Sequence, residues 1–346
     1  MSLFLKWLLP AFDLDPARID SRLRARLSQG EFAGFALALC ITLGFIYIDP
    51  KGQGLAQDLR HMTDTAHGIM FGYFYPYWFL PMWALVAQLP FPIAFFLTNF
   101  ANLLGIWLAC RVFNSNAAIA LSSYQTLYVM YYSQTTGILL GGFAMMLWAM
   151  QHKRYWLAGL GLTIALIKPQ IAGPLALTLW LTDDGPLVQR LRVAVIPLII
   201  GTISLIIYPL WPLEIVERLK VTPPFMGGSI VLWQWIGPIS LLLWIPVVLT
   251  PLSRERRLVG VAAATALATP YFQQSELLML FMLPIGRLGL LGNFGYLMWS
   301  FSYAALRGLV FIPILIYIFV FVSHFHQQAR VRTASSVQIQ ESDITV

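Results

Sequence analysis

From Phe91 to Cys110 the chain runs without a charged residue, and so do the stretches Phe32–Ile48 and Val193–Tyr208. Uncharged apolar runs of this length belong either to the core of a large soluble protein or to the hydrocarbon of a bilayer. Composition decides between them. Charged residues make up 11% of the 346 residues and hydrophobic ones 58%, whereas a soluble domain carries about 25% charged residues. So few charges cannot solvate a surface of the size this chain would need. Disorder, collagen and a disulfide scaffold are excluded by the same composition. Inside hydrocarbon every backbone N–H and C=O needs an internal partner, which leaves helices or closed barrels. The polar groups lack the alternation over short segments that a barrel strand shows. The sequence therefore predicts an all-α polytopic membrane protein.

Threading the chain through a bilayer gives about twelve short spans, 10–12 as a working range. A basic cluster, Arg18, Arg22, Arg24 and Arg26, precedes the first span and places the N-terminus in the cytoplasm. Leu3–Phe12, closed by Pro10 and Asp13, reads as an interfacial helix rather than a cleaved signal. Tyr75–Leu89, with Pro76, Pro81 and Pro90 and several aromatics, reads as a helix lying in the outer leaflet within the first external loop. The later spans are Phe91–Cys110, Ala117–Tyr131, Gly137–Met150, Trp156–Ile167, Ile171–Leu181, Val193–Tyr208, Val231–Leu249, Leu258–Ala268, Leu277–Ile285, Leu290–Ala305 and Leu309–Ser323. With this parity, 16 of the 22 Lys and Arg fall on the cytoplasmic side, as the positive-inside rule requires. The expected organisation is a cytoplasmic or interfacial segment 1–31, one transmembrane domain 32–324 and a polar, disordered cytoplasmic tail 325–346. Both termini are cytoplasmic, and a multi-pass protein of the plasma (inner) membrane follows. The net charge of +7 is explained by the basic cytoplasmic loops, without nucleic acid. Cys40 and Cys110 both sit in apolar runs and read as buried free thiols.

No P-loop, HExxH, GxSxG or CxxC pair is present. The polar residues that loop solvation does not explain all fall on the external side of the threading: Asp58, Gln134, Lys168, Gln273, Gln274 and Glu276. Lys168 is the sharpest of them. It ends one short apolar helix just before Pro169 begins the next, and a Lys at membrane depth costs about 2.5–3.5 kcal/mol. It therefore calls for a partner or a cavity. Snorkelling to the interface is the plain explanation. An anion site beside the free N–H groups of the next helix is the functional one. His61, Asp64 and His67 have only a loose spacing for a metal site, and no metal is expected.

These residues carry a resemblance. Asp58-Leu59 in an external loop is followed by Phe74-Tyr75-Pro76 ahead of an apolar helix. Ser133-Gln134 opens a span, and Gly159-Leu160 runs on to Ile167-Lys168-Pro169-Gln170. Thr269-Pro270-Tyr271 then comes before the acidic Glu276. In this order they resemble glycosyltransferase family 87, membrane enzymes of the type C (GT-C) fold that use polyprenyl-phosphate sugars. Over about residues 50–290 the chain follows the family, with Tyr77 in place of a second Pro and Ser133 in place of a Gly. The resemblance implies a hexosyltransferase that moves a sugar, mannose first of all, to a hydroxyl of a lipid or glycan acceptor on the outer face, with inversion. It implies Asp58 as the general base and Lys168 at the donor phosphate, with Arg60 or Arg307 assisting. Gln134, Tyr75, Gln273, Gln274 and Glu276 would bind sugar or acceptor. Neither metal nor other cofactor is implied. The competing expectation is a membrane transporter or lipid flippase, which also uses broken helices and a buried cation but places its polar site near the midplane.

Overall fold

The computed structural model describes residues 14–52, 54–67, 74–221 and 230–344. Among these residues the chain is helical throughout, without a strand. The expected helix Leu3–Phe12 lies outside the described residues. In chain order the α-helices are α1 (Pro16–Arg24), α2 (Gln29–Ile48), α3 (Gln57–Ala66), α4 (Leu80–Val86), α5 (Phe91–Val112), α6 (Ala117–Leu121), α7 (Tyr124–Tyr132), α8 (Thr136–Gln151) and α9 (Tyr155–Ala165). There follow α10 (Pro169–Leu181), α11 (Leu187–Ile207), α12 (Trp211–Val221), α13 (Trp233–Ile236), α14 (Trp244–Leu249), α15 (Arg254–Ala268), α16 (Leu278–Phe281), α17 (Phe294–Phe301) and α18 (Phe311–Ile344).

Four helical stretches are long and apolar enough to cross a membrane: Gln29–Ile48, Phe91–Val112, Leu187–Ile207 and Ala304–Ala329. This is an all-helical protein with the makings of a membrane protein, but twelve continuous spans are not what it builds. Leu277–Ile285 and Leu290–Ala305, expected as spans, are chains of short pieces. They comprise the 3-10 turns Gln274–Leu277, Gly286–Asn293 and Tyr303–Val310 with α16 and α17 between them. Pro284 lacks the N–H that a continuous helix needs, and Gly286 turns the chain at a φ of 57° that breaks right-handed helix. Val231–Leu249 is likewise divided, at Gly237 and Pro238, into α13, a 3-10 turn and α14. Tyr77–Val86 is helical but only about 15 Å long at 1.5 Å per residue, half of a hydrocarbon core. It is too short to cross one.

Two further expectations are corrected. The tail is helical: α18 continues without a break through Thr333 to Ile344. Its only proline is Pro313 in the first turn, where a missing N–H is harmless, and no glycine follows. Cys40 is exposed on α2 and only Cys110 is buried, both as free thiols.

Helices α5, α8 and α9 pack face to face through small residues. A methyl group on Gly105 would collide with the Gly137 carbonyl, and one on Gly137 with the Asn102 carbonyl. Added atoms on Gly142 and Gly161 would likewise meet the facing backbone. Without a hydrophobic driving force between helices in lipid, such close backbone approach is what gains dispersion energy. A Gly137→Ala change has no flexible side chain to push aside. It is expected to cost about 2–3 kcal/mol, seen as a lower midpoint of thermal unfolding in detergent; an unchanged midpoint would refute this close packing.

At the end of the bundle where α5 finishes, Arg111 is folded into a polar knot. Its Nε meets Glu31 Oε1 at 2.6 Å and its Nη2 meets Glu31 Oε2 at 2.7 Å, a bidentate pair that suits guanidinium geometry. Glu31 also receives the Ser28 N–H at 2.8 Å, closing a capping box at the start of α2. Arg22 returns the contact, donating from Nε to the Arg111 carbonyl at 2.9 Å. The basic segment before the first span is thereby fastened to α5.

Candidate functional site

The site forms beside the middle of α5, and two asparagines that no motif pointed to build it. Asn99 and Asn102, one turn apart on α5, are both fully buried. Asn99 Nδ2 donates to the Met130 carbonyl at 3.1 Å, and its Oδ1 accepts from Ser133 Oγ at 3.2 Å. Asn102 Nδ2 donates to the Gln134 carbonyl at 2.6 Å, while its Oδ1 accepts the Ile138 N–H at 3.2 Å. Together they satisfy backbone groups left free where α7 stops and α8 starts. The break itself is made by Ser133, which ends α7 in the left-handed region at φ 52°. Glycine takes this conformation without strain; here the Asn99 hydrogen bond holds a serine in it. The signal was legible in principle: two amides at i and i+3 on one face of an otherwise apolar helix.

This break presents Gln134, which is 3% exposed. Its Nε2 donates to Gln273 Oε1 at 2.8 Å, and its Oε1 accepts from Ser275 Oγ. The segment 273–276 is thus drawn onto the α7–α8 junction. Lys168 arrives from the break between α9 and α10, where Pro169 takes the first helical position. Lys168 is 5% exposed and Glu276 is 0% exposed. Lys168 Nζ lies 2.8 Å from Glu276 Oε1 and 3.5 Å from Thr136 Oγ1. The partner that the sequence demanded for Lys168 is therefore Glu276. The other oxygen of Glu276 accepts the Gln273 N–H.

The third contribution is α3, in the loop after α2. Its preceding residue, Ala56, donates its N–H to the Tyr131 carbonyl at 2.9 Å, which fastens the start of α3 beside the same junction. Asp58 then falls in its first turn. Gln134 donates a hydrogen bond to the Asp58 side chain, and Lys168 and Glu276 lie within its electrostatic reach. Burial raises the Asp58 carboxyl from its ordinary 3.8 to about 6. The charge of Glu276 adds to the rise, and Lys168 and the Gln134 hydrogen bond oppose it. Tyr75 completes the group: its phenol interacts with the Thr135 hydroxyl and is pushed well above its ordinary value by burial and by Asp58.

Of the residues singled out in the sequence, the structure brings together Asp58, Tyr75, Gln134, Lys168, Gln273 and Glu276. Gln274 is fully buried beside them in sequence, and neither atom of its carboxamide has a hydrogen-bond partner among the described residues. Arg60 turns away and donates from Nη2 to the Leu55 carbonyl at 3.0 Å. Arg307 lies in the turn Tyr303–Val310. His61 is influenced by Asp64 and Arg60, but among the described residues no three His, Cys, Asp or Glu side chains come together as a metal site. Thr136, Ser275, Asn99 and Asn102 are the additions.

The segment after α11, outside the spans expected from the sequence, contains α12. Glu214 and Arg218 of this helix reach the Tyr77 hydroxyl: Tyr77 donates to Glu214 Oε2 at 2.9 Å, and Arg218 donates to the phenol oxygen. Tyr77 also stacks on Trp211, with ring centroids 5.5 Å apart. The short helix after Tyr75 is thereby clamped from a second loop.

The class these observations define is an all-helical protein, with helices of membrane-crossing length, whose polar site forms where two helix breaks meet a loop helix. Comparison with protein-family models, characterised proteins and solved structures finds no match to this chain.

Proposed function

We propose that this protein is a membrane glycosyltransferase of the GT-C type. In this reading it moves a sugar, mannose in the first instance, from a polyprenyl-phosphate donor to a hydroxyl of a lipid or glycan acceptor on the outer membrane face. The observation that carries the reading is Asp58: a carboxylate on a loop helix, tuned to about 6, next to a buried Lys168–Glu276 pair. A general base works best with a pKa close to the operating pH. The acceptor oxygen forms its bond to the anomeric carbon as the carbon–oxygen bond to phosphate breaks. The electron pair leaves on the phosphate, and the acceptor proton passes to Asp58. A phosphate is already a good leaving group, so one carboxylate is enough for an inverting displacement, unlike the two of a glycoside hydrolase.

Lys168 is the cation for the departing phosphate. Without a ligand Glu276 neutralises it; a phosphate would compete for the same ammonium. Gln274 offers a buried carboxamide with no partner among the described residues, a state that costs about 1–3 kcal/mol and that a sugar hydroxyl would relieve. A transporter or flippase would need the same groups to be reachable from both sides.

The test is transfer of labelled mannose from a polyprenyl phosphate in proteoliposomes containing the full chain. Acceptor-dependent labelling of lipid or glycan is the expected result. Movement of the intact donor across the bilayer without transfer would replace this reading by a flippase.

A further inference from the structure

A second polar site lies at the far end of α15 from Glu276. The length of α15, fifteen residues or about 22 Å, separates it from the helix end that leads toward Glu276. There a cavity of about 530 Å³ is lined by Ser253 and Arg256 at the start of α15 and by His324 and Gln327 of α18, among others. Helix α15 begins at its wall, so the positive end of the helix dipole faces this region. Ser253 Oγ accepts the Arg256 N–H at 3.4 Å, leaving other first-turn N–H groups without helical partners.

The side chains add donors with nothing to meet. His324 is 5% exposed, and its Nε2 has no hydrogen-bond partner among the described residues. Arg256 donates from Nη2 to Gln327 Oε1 at 2.5 Å, which orients the guanidinium and leaves its other N–H groups available. Glu255 is the one carboxylate in the stretch 251–257 and offsets only one of its three arginines. Excess positive charge, a helix N-terminus and the unpartnered His324 ring nitrogen at one cavity select an anion with several acceptor oxygens.

We propose that this cavity binds a phosphate group. His324 sits near the end of Ala304–Ala329, an apolar stretch long enough to cross a bilayer, so headgroups would lie at its level. The phosphodiester of an anionic phospholipid is the expected source, and inorganic phosphate is the other. The proposal does not rest on the transferase reading.

The full chain in detergent would be titrated with dioctanoyl phosphatidylglycerol, with inorganic phosphate and with dioctanoyl glycerol, which lacks the phosphate. Bound lipid would be read by native mass spectrometry and stabilisation by the thermal midpoint. The phosphatidylglycerol is expected to bind saturably and the diacylglycerol not to. His324→Gln and Arg256→Gln should each weaken binding about tenfold or more. Arg24→Gln, which removes an exposed charge on α1, should leave binding unchanged. Arg256→Lys keeps the charge and should retain part of the affinity; if Arg256→Gln does not fold, Arg256→Lys and His324→Gln carry the test. Saturable binding of inorganic phosphate, lost in the same variants, would support the site and change its source. Binding of neither phosphate probe, or equal weakening by Arg24→Gln, overturns the proposal.

Discussion

The Asp58→Asn protein is expected to fold and insert normally, yet to transfer sugar at least about 100-fold more slowly. The amide keeps the shape and the contact with Gln134 but cannot take a proton. Two further readouts give this prediction a sign. Folding raises the Asp58 pKa from 3.8 to about 6. The stability this group contributes is therefore complete below about pH 3.8 and is lost as the pH rises through about 6. At pH 7–8 the charged carboxylate is a net cost, and the variant should unfold at the same temperature as the wild type or higher. In the wild type, transfer should fall on the acid side with a midpoint near pH 6, as the base becomes protonated. A slow variant that is also unstable would make Asp58 structural. Normal turnover would move the base elsewhere, with Asp64 and Glu276 as the carboxylates to test next.

Lys168→Met is expected to be costly in a different way. Read from sequence alone, an uncharged residue at this depth would be neutral if the lysine merely snorkelled. The structure reverses that expectation, because Glu276 is fully buried and its Oε1 faces Lys168 at 2.8 Å. Removing one partner of a buried ion pair leaves an uncompensated charge and typically costs about 3–5 kcal/mol. Adding Glu276→Gln to Lys168→Met removes that charge and should recover most of the loss. Thermal unfolding of the two single variants and the double variant isolates the coupling between the residues. Activity per folded molecule then separates function from folding. If Lys168 also holds the donor phosphate, the double variant should be nearly as stable as the wild type while transferring about 30- to 1000-fold more slowly. Full activity in a stable double variant would restrict Lys168 to a structural role.

The parts of this molecule that the sequence announced are those governed by local rules. The uncharged run Phe32–Ile48 after a basic cluster marks a helix, and α2 covers it. Pro169 cannot continue a helix, and the chain breaks at Lys168. The proline-rich Tyr75–Leu89 segment yields only a short helix. The site was legible as a set of misplaced polar residues, since each of Asp58, Gln134, Lys168 and Glu276 resists explanation in an apolar setting. Their pairing was not, because Lys168 and Glu276 are 108 positions apart and no periodicity connects them. Arg60 and Arg307 were chosen for charge alone, and charge does not reveal that Arg60 is taken by the Leu55 carbonyl. Asn99 and Asn102 were passed over because amides in an apolar run draw less notice than charges. In hydrocarbon they are the economical way to satisfy a helix break. Three of the expected spans are broken for a related reason. Hydropathy measures whether a segment tolerates lipid, whereas proline and glycine placement decides whether it stays one helix.

Glu276 divides its two oxygens between Lys168 and the backbone N–H of Gln273, and Gln273 in turn receives the Gln134 amide. A carboxylate shared in this way makes the order of the 273–276 segment and the availability of the Lys168 ammonium a single thermodynamic variable. By linkage, any anion that draws Lys168 away from Glu276 alters the hold on Gln273 by as much as the hold on Gln273 alters the affinity for that anion. Occupancy at the lysine would thus be transmitted to the carboxamides lining the site without movement of the helices that frame it.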